Sequence, residues 1–204
     1  MNPIFDKSAV PTRERILHAA IKLFSDNGYN STSMRDIAAA VEIRVASIYS
    51  HYSSKEEILQ AVYEFFTSNW EKACPDLNEI LRFAETAHPY EVLQKVEFHY
   101  EPHIQEDMDR IMMIAARRIR YDPSSAEFAH KYVIGHLEHT LKTVLARLIE
   151  LGKIEPLPIK PLTVLLCYFS FGTAVLNSTV LEIGLQAWQE CMALVFSLIK
   201  PTGK

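Results

Sequence analysis

The segment from residue 44 to residue 55 carries side chains that can bind nucleic acid. In chain order they are Arg44, Ser47, Tyr49, His51 and Lys55. An arginine can donate two hydrogen bonds to a guanine edge, and a serine can pair with either kind of base edge. Tyrosine, histidine and lysine can donate to phosphates, and a lysine at a helix start lies where free N–H groups favour anions. The residue types therefore indicate contact with DNA.

Two short helices are predicted to hold these side chains. The first has apolar residues at the i, i+3, i+4, i+7 spacing of one helix face: Met34, Ile37, Ala38 and Val41. Ser33 followed by Asp36 predicts a capping box at its start. After an interruption at residues 42–44, a second helix is predicted over about 45–51, with Val45 and Ile48 buried. Its polar residues then lie mostly on the open side.

Two helices joined by a three-residue turn suggest a helix-turn-helix, whose second helix enters the DNA major groove. Thr32 and Ser33 precede the first helix and are further DNA-binding candidates, although Thr32 serves equally well as a helix cap. Short amphipathic helices with a polar turn occur in many all-α proteins. The pattern by itself therefore leaves a purely structural role open.

Three segments, in order, resemble the N-terminal domain of the TetR (tetracycline-repressor) family. They are FSDNGY at residues 24–29, TSMRDIA at 32–38 and IYSHYSSKEEIL at 48–59. The resemblance covers about residues 12–60, and beyond it only length and helical character are similar. It implies a homodimeric DNA-binding regulator whose C-terminal half binds a ligand. It also implies that rotation of a connecting helix transmits ligand binding to the DNA-binding heads.

The turn departs from the family pattern at Glu42, where a glycine is usual. Glycine there permits a left-handed backbone conformation. Glu42 is therefore expected either to adopt that conformation at some cost or to shift the turn. Arg44 stands where the family often has a small residue, which makes it a candidate for a base or phosphate contact particular to this chain.

Composition bounds the fold. The chain has 204 residues, of which 49% are hydrophobic and 23% charged, as in an ordinary globular protein. Six glycines and the absence of alternating apolar runs predict an all-α fold with about nine to ten helices. The formal net charge is −4, whereas residues 1–60 hold seven basic and seven acidic residues. DNA binding must therefore depend on where a few charges lie, with modest salt sensitivity.

Three regions are predicted. Residues 1–11 form a flexible arm, residues 12–54 a three-helix helix-turn-helix domain, and residues 55–204 a larger ligand-binding and dimerisation domain that begins with a connecting helix at 55–72. Thr12 is predicted to cap a first helix at residues 12–27, which Gly28 ends. Proline, glycine and capping residues predict the later helices at about 76–86, 89–100, 103–121, 122–151, 161–182 and 185–199, and Asp122 with Pro123 is the predicted start of the fourth of these.

The larger domain is expected to enclose an apolar pocket for a small hydrophobic ligand. The residues predicted to line it are Trp70, Phe98, Met112, Tyr132 and Phe169. Methionines line adaptable pockets, but at helical spacing they also serve as plain core. Arg117, Arg118 and Arg120 could pair with an anionic ligand group or form a solvated face.

The last two predicted helices, at about 161–182 and 185–199, are apolar on nearly all faces. Such helices are buried, and a homodimer interface of two helices from each subunit would bury them. The run at 162–180 contains Asn177 and Ser178, so a buried helix is favoured over a membrane span. The start of the chain lacks the pattern of a signal peptide, and the scattered Cys74, Cys167 and Cys191 fit a reducing, cytoplasmic setting.

Metal and catalytic sites are disfavoured. Two histidine pairs, His99 with His103 and His136 with His139, have helical spacing but no clear third ligand. No glycine-rich phosphate loop, nucleophile elbow or HExxH motif occurs, so neither a cofactor nor enzyme activity is expected. The sequence therefore predicts a repressor released from a palindromic double-stranded DNA operator by a small apolar ligand. A helical small-molecule-binding or scaffold protein without operator binding is the alternative, and an enzyme is a more distant one.

Overall fold

The structure, a computed structural model, describes residues 10–96, 100–177, 193–194, 197 and 199–202. These residues are helical and include no β-strand, as predicted. The helices are α1 Thr12–Asn27, α2 Met34–Ala40, α3 Val45–Ile48, α4 Lys55–Ala73, α5 Leu77–Phe83, α6 Pro89–Gln94, α7 Pro102–Arg118, α8 Pro123–Phe128, α9 His136–Glu150 and α10 Ile159–Asn177. A π-helical segment, Ala129–Gly135, joins α8 to α9.

Helix α1 spans the predicted residues, but its start differs in detail. The N-cap is Pro11, which makes no side-chain hydrogen bond, and Thr12 is already the first helical residue. The helix ends at Gly28, whose φ of 87° lies in the region that favours glycine. Its N–H donates to the Phe24 carbonyl, 3.1 Å away. Gly28 thus turns the chain toward α2.

Two buried clusters hold the helices together. The first joins α1, α2, α3 and α4 to α7 and α8, with fully buried members such as Phe24, Ile58 and Ile111. The second joins α5, α6, α9 and α10 around Val144 and Leu145. The head, defined as residues 12–54, therefore shares one apolar core with α4 and α7.

The helix predicted over residues 122–151 is interrupted. Asp122 caps α8 by accepting from the Ser124 N–H at 3.0 Å, and Pro123 is its first residue, as predicted. The π-helical segment then intervenes before α9. A Cβ at Gly135 would lie 2.7 Å from the His130 carbonyl oxygen, so only glycine fits there without displacement. Hydrophobic periodicity does not reveal this insertion, because one π turn shifts the apolar stripe by only one residue.

Two other boundaries differ from the predicted ones. Helix α6 ends at Gln94 rather than near residue 100, and α7 begins at Pro102, which occupies its first position. Proline is well accepted there because the first N–H of a helix has no intrahelical partner. The predicted helix at 185–199 lies mostly outside the described residues.

Candidate nucleic-acid interface

A Schellman motif closes α2 and directs the chain into α3. The Ile43 N–H donates to the Ala38 carbonyl at 3.0 Å, and the Glu42 N–H donates to the Ala39 carbonyl at 3.1 Å. Glu42 has φ 60°, and it is the one non-glycine residue with positive φ among those described. Of the two expected outcomes, Glu42 therefore adopts the left-handed conformation and the turn keeps its geometry. Arg15 adds a hydrogen bond of 2.6 Å from its guanidinium to the Val41 carbonyl.

The predicted capping box forms at the start of α2. The Ser33 hydroxyl accepts from the Asp36 N–H at 3.2 Å, while the Asp36 carboxylate accepts from the Ser33 N–H at 2.8 Å. The Ser33 hydroxyl also donates to the Asp36 carboxylate, and this bond, together with the one from the Ser33 N–H, holds the pKa of the exposed Asp36 carboxyl below its usual value. At α4, the Ser54 hydroxyl accepts from the Glu57 N–H at 3.1 Å, whereas the Glu57 carboxylate accepts from the Ser53 N–H at 2.7 Å. Both ends of the helix-turn-helix are thereby fixed by local bonds.

Helix α3 is only four residues long and is held by few side chains. Ile48 is fully buried, and Tyr52 just after the helix is nearly so. Val45, which was predicted to be buried, is 38% exposed, so that prediction is wrong. Val45 lies three residues before Ile48, at the edge of the same helix face, and only Ile48 is fully buried. Ala46 and Ser47 are exposed.

Helix α1 contacts the residues that follow α3. The Arg13 guanidinium lies 4.4 Å from the centre of the Tyr52 ring and donates to the His51 carbonyl at 3.1 Å. The Tyr52 hydroxyl lies 3.4 Å from the Arg13 carbonyl. Through these contacts α1 sets the orientation in which α3 is presented.

Two of the predicted DNA-binding side chains bond within the protein. The buried Thr32 hydroxyl donates to the Gly28 and Leu23 carbonyls at 2.9 and 3.2 Å, which closes the end of α1. The Lys55 ammonium donates to the Tyr29 and Thr32 carbonyls, both at 2.9 Å, and lies 4.3 Å from the Tyr29 ring centre. Thr32 and Lys55 therefore position the loop between α1 and α2.

The remaining candidates surround α3. Arg44 and Ser47 are exposed, Tyr49 is 52% exposed, and His51 is half-buried at the foot of the helix. Sequence reasoning missed Val45 and Ala46, which are also exposed on this surface. We call residues 44–47 together with Tyr49 the reading face. It presents a guanidinium, two hydroxyls and two small apolar side chains, which are groups that contact base edges in a major groove.

Helix α7 joins the head to the rest of the protein through polar contacts. The His18 Nδ1 lies 2.5 Å from the Asp107 carboxylate, and Arg110 pairs with Asp26 at 2.6 Å. Arg117 donates to the Ser25 carbonyl. These contacts all connect α1 to α7.

Arg118 extends this connection to the loop after α1. Its guanidinium carbon lies 4.0 Å from the Tyr29 ring centre, and its Nη2 donates to Asp122 at 2.7 Å. Asp122 also accepts from the buried Ser125 hydroxyl at 2.8 Å, which in turn bonds the Tyr63 hydroxyl at 2.7 Å. Arg117 and Arg118 thus serve the head contact, whereas Arg120 is exposed.

The predicted ligand-binding residues are brought together only in part. Trp70 and Tyr132 meet edge to face, with ring centres 5.5 Å apart, and both pack with Met112 against the first cluster. Phe169 is half-buried on α10, and Phe98 lies outside the described residues. A cavity of about 290 Å³ opens beside Tyr63, Phe128 and Tyr132.

His136 pairs with a thiol. Its Nε2 lies 3.1 Å from the Cys74 sulfur and 3.3 Å from the Thr140 hydroxyl. Burial lowers the pKa of His136 and raises that of Cys74, so both groups are neutral near pH 7. Within the described part of the chain, no three His, Cys, Asp or Glu side chains are arranged to hold a metal ion.

The fold and this interface define a helix-turn-helix domain built onto a larger helical domain. Residues 16–62 match the sequence model of the bacterial regulatory proteins of the tetR family. This part of the chain is therefore similar to the N-terminal domain of tetR-family regulators.

Relatives match over the same region. The HTH-type transcriptional regulator UidR of Escherichia coli K12 is 46% identical over 54 residues, which are 26% of this chain and 28% of UidR. IcaR of Staphylococcus epidermidis, a negative transcriptional regulator of the biofilm operon icaADBC, is 44% identical over 52 residues, again 26% of this chain and 28% of the relative. The matched part thus spans little more than a quarter of these relatives.

One solved structure shows the likeness of the whole fold. The ketosteroid transcriptional regulator KstR2 of Mycobacterium tuberculosis superposes with a TM-score of 0.64 at 21% identity, over 93% of this chain and 95% of KstR2. Separately, among the helices described here, none is both long enough and apolar enough to cross a membrane.

Proposed function

We propose that the protein is a transcriptional repressor that binds a palindromic DNA operator as a homodimer and is released by a small apolar ligand. The observation that carries this proposal is the reading face, which is exposed on a short helix that Ile48, Tyr52 and Arg13 hold in place. A rigidly presented helix of this kind suits entry into a major groove. The names of UidR and IcaR as transcriptional regulators, and of IcaR as a negative one, support the repressor sense.

Arg44, Ser47 and Tyr49 are the side chains we assign to base and phosphate contacts, with His51 at the margin. Ser33 contributes through its exposed position at the start of α2. Thr32 and Lys55 act indirectly, because their polar atoms hold the loop between α1 and α2. DNA binding by so few charged groups implies a modest salt dependence.

The test is fluorescence anisotropy with the DNA upstream of the protein's own reading frame, compared with random duplex DNA at two salt concentrations. Arg44→Ala is expected to weaken specific binding by about 1–3 kcal/mol if Arg44 reads a guanine. If Arg44 contacts a phosphate, its replacement weakens binding to all DNA sequences and reduces the slope of the logarithm of the binding constant against the logarithm of salt concentration by about one. Arg82→Ala is the matched control, because Arg82 is an exposed arginine on α5, outside the head.

Two outcomes separate the proposal from its rivals. Specific binding that Arg44→Ala and Tyr49→Ala both abolish, and that Arg82→Ala leaves intact, supports the repressor. Failure to prefer the upstream DNA or any other genomic fragment over random DNA favours a small-molecule-binding protein without an operator.

The ligand-binding part of the proposal rests on Trp70, Met112 and Tyr132, which gather where α4, α7 and the π-helical segment meet. A ligand inserted among them would bear on both helices that reach the head. A ligand that binds better to a conformation with wrongly spaced heads lowers operator affinity by linkage. Release of labelled operator DNA by members of a compound library tests this, and a Trp70→Ala variant should lose the response.

Dimerisation is proposed through α10 and the predicted helix at about 185–199. Val164, Leu165 and Tyr168 leave large apolar side chains exposed on α10. A second copy of this face would cover them and would present two reading faces to successive turns of one operator, about 34–36 Å apart.

A further inference from the structure

Two apolar side chains stand in the middle of the reading face. Val45 is 38% exposed and Ala46 is exposed, and they lie between the polar side chains of Arg44 and Ser47. Val45 belongs to neither buried cluster, nor to the partly buried residues that pack against them. With more than a third of its surface exposed, Val45 lies at the edge of the core rather than within it.

The turn before α3 sets which of its side chains enters the core. The left-handed Glu42 ends α2 and swings the chain so that Ile43 packs against the first cluster, while α3 begins at Val45. Ile48 is then the residue of α3 that enters the core. Val45 and Ala46 are left on the surface that a helix-turn-helix turns toward the bases.

A major groove offers one apolar group to such side chains, the C5-methyl of thymine. We propose that Val45 and Ala46 read thymine methyl groups, and that the operator carries thymine where α3 enters each half-site. This inference rests on the proposed DNA-binding function and specifies the base that the apolar part of the reading face selects. Arg44 and Ser47 would then select or anchor the flanking positions.

The test begins with selection of binding sites from a random-sequence duplex library by the full-length protein. Each thymine of the selected half-site is then replaced singly by uracil, which removes only the methyl group. Burial of one methyl group predicts that uracil at the contacted position weakens binding about fourfold. Uracil at thymines outside the half-sites is the internal control.

Substitutions in the protein test whether Val45 is the side chain that causes the thymine preference. Val45→Ala should weaken binding to the thymine duplex by a similar factor and should remove the thymine preference at the one half-site position that Val45 contacts. Because Val45 lies outside the core, the variant should fold, which thermal unfolding checks. Arg44→Ala should weaken both duplexes and keep their ratio.

The outcomes are distinguishable. Uracil that binds as well as thymine at every half-site position, or a selected half-site without thymine, overturns this inference and leaves the DNA-binding function intact. A thymine preference that Val45→Ala leaves unchanged at every half-site position also overturns it. Failure to select any sequence would overturn the proposed function and this inference together.

Discussion

The imidazole of His18 on α1 and the carboxylate of Asp107 on α7 meet at 2.5 Å, across the junction between the head and the larger domain. This bond to Asp107 is the main cause that raises the pKa of His18 above 6.5, against the opposing effect of burial. Glu14 lies 3.7 Å from the other ring nitrogen, and the Phe65 ring contacts the imidazole edge to face. His18 therefore binds its proton more tightly in the folded protein than in the unfolded chain.

The sign of the pH dependence follows from this raised pKa. The stabilisation that protonated His18 contributes is fully present below pH 6.5 and is lost as the pH rises through the folded-state pKa of His18. We expect less than about 1 kcal/mol, since the histidine is partly exposed and screened. Urea unfolding at several pH values should show this loss in the wild type and not in His18→Gln. An identical pH dependence in both proteins would contradict the assignment.

Arg118 is predicted to hold the head on the larger domain through Tyr29 and Asp122. Arg118→Ala would leave the partly buried Asp122 carboxylate without its cation and should reduce the free energy of unfolding by about 1–3 kcal/mol. Arg120→Ala is the matched control, because Arg120 is exposed two residues further on. Urea unfolding measures both, and an equal effect of the two substitutions would refute the role of Arg118.

The left-handed Glu42 predicts a stabilising substitution. Glycine avoids the cost of φ 60°, so Glu42→Gly should raise the free energy of unfolding by up to about 1 kcal/mol. Glu42→Gln removes the charge and keeps the strained backbone, so it separates the two effects. Thermal or urea unfolding suffices, and a gain in Glu42→Gln as large as in Glu42→Gly would show that charge, not backbone, is responsible.

Substitution by alanine is expected to have different effects at Gly135, which ends the π-helical segment, and at Gly172 on α10. Gly135→Ala places a Cβ 2.7 Å from the His130 carbonyl oxygen and should destabilise the protein by about 1–3 kcal/mol. Gly172→Ala, on α10, meets no heavy atom within 4 Å and should be neutral or stabilising by up to about 1 kcal/mol. Urea unfolding of both variants checks this pair, and equal stabilities would contradict the steric argument.

Local sequence signals predicted the long helices and their ends well. Helix α1 and the start of α4 lie where periodicity and capping residues placed them, and Ser33 with Asp36 forms the predicted capping box. These features depend on residues a few positions apart, which a sequence displays directly. The same holds for Gly28 at the end of α1.

Features that depend on distant partners could not be predicted. Arg117 donates to the Ser25 carbonyl, 92 positions away in the sequence. Lys55 donates to the Tyr29 and Thr32 carbonyls, which are also distant in the sequence. Val45 shares a helix face with Ile48, but α3 has a single turn, and how deeply Val45 is buried depends on the helices around it. The edge-to-face contact between Trp70 and Tyr132 likewise follows from tertiary packing.

The exposed apolar face of α10 predicts a homodimer that an introduced carboxylate on this face should dissociate. Leu165 and Tyr168 are 55% and 64% exposed, and stable homodimer interfaces bury such residues. Tyr168→Asp would place a carboxylate from each subunit in the interface, so it should shift the protein toward monomer and weaken operator binding. Tyr121→Asp is the matched control, since Tyr121 is 83% exposed at the end of α7. Sedimentation velocity over a range of concentrations measures the change, and a Tyr168→Asp variant as dimeric as the wild type would place the interface elsewhere.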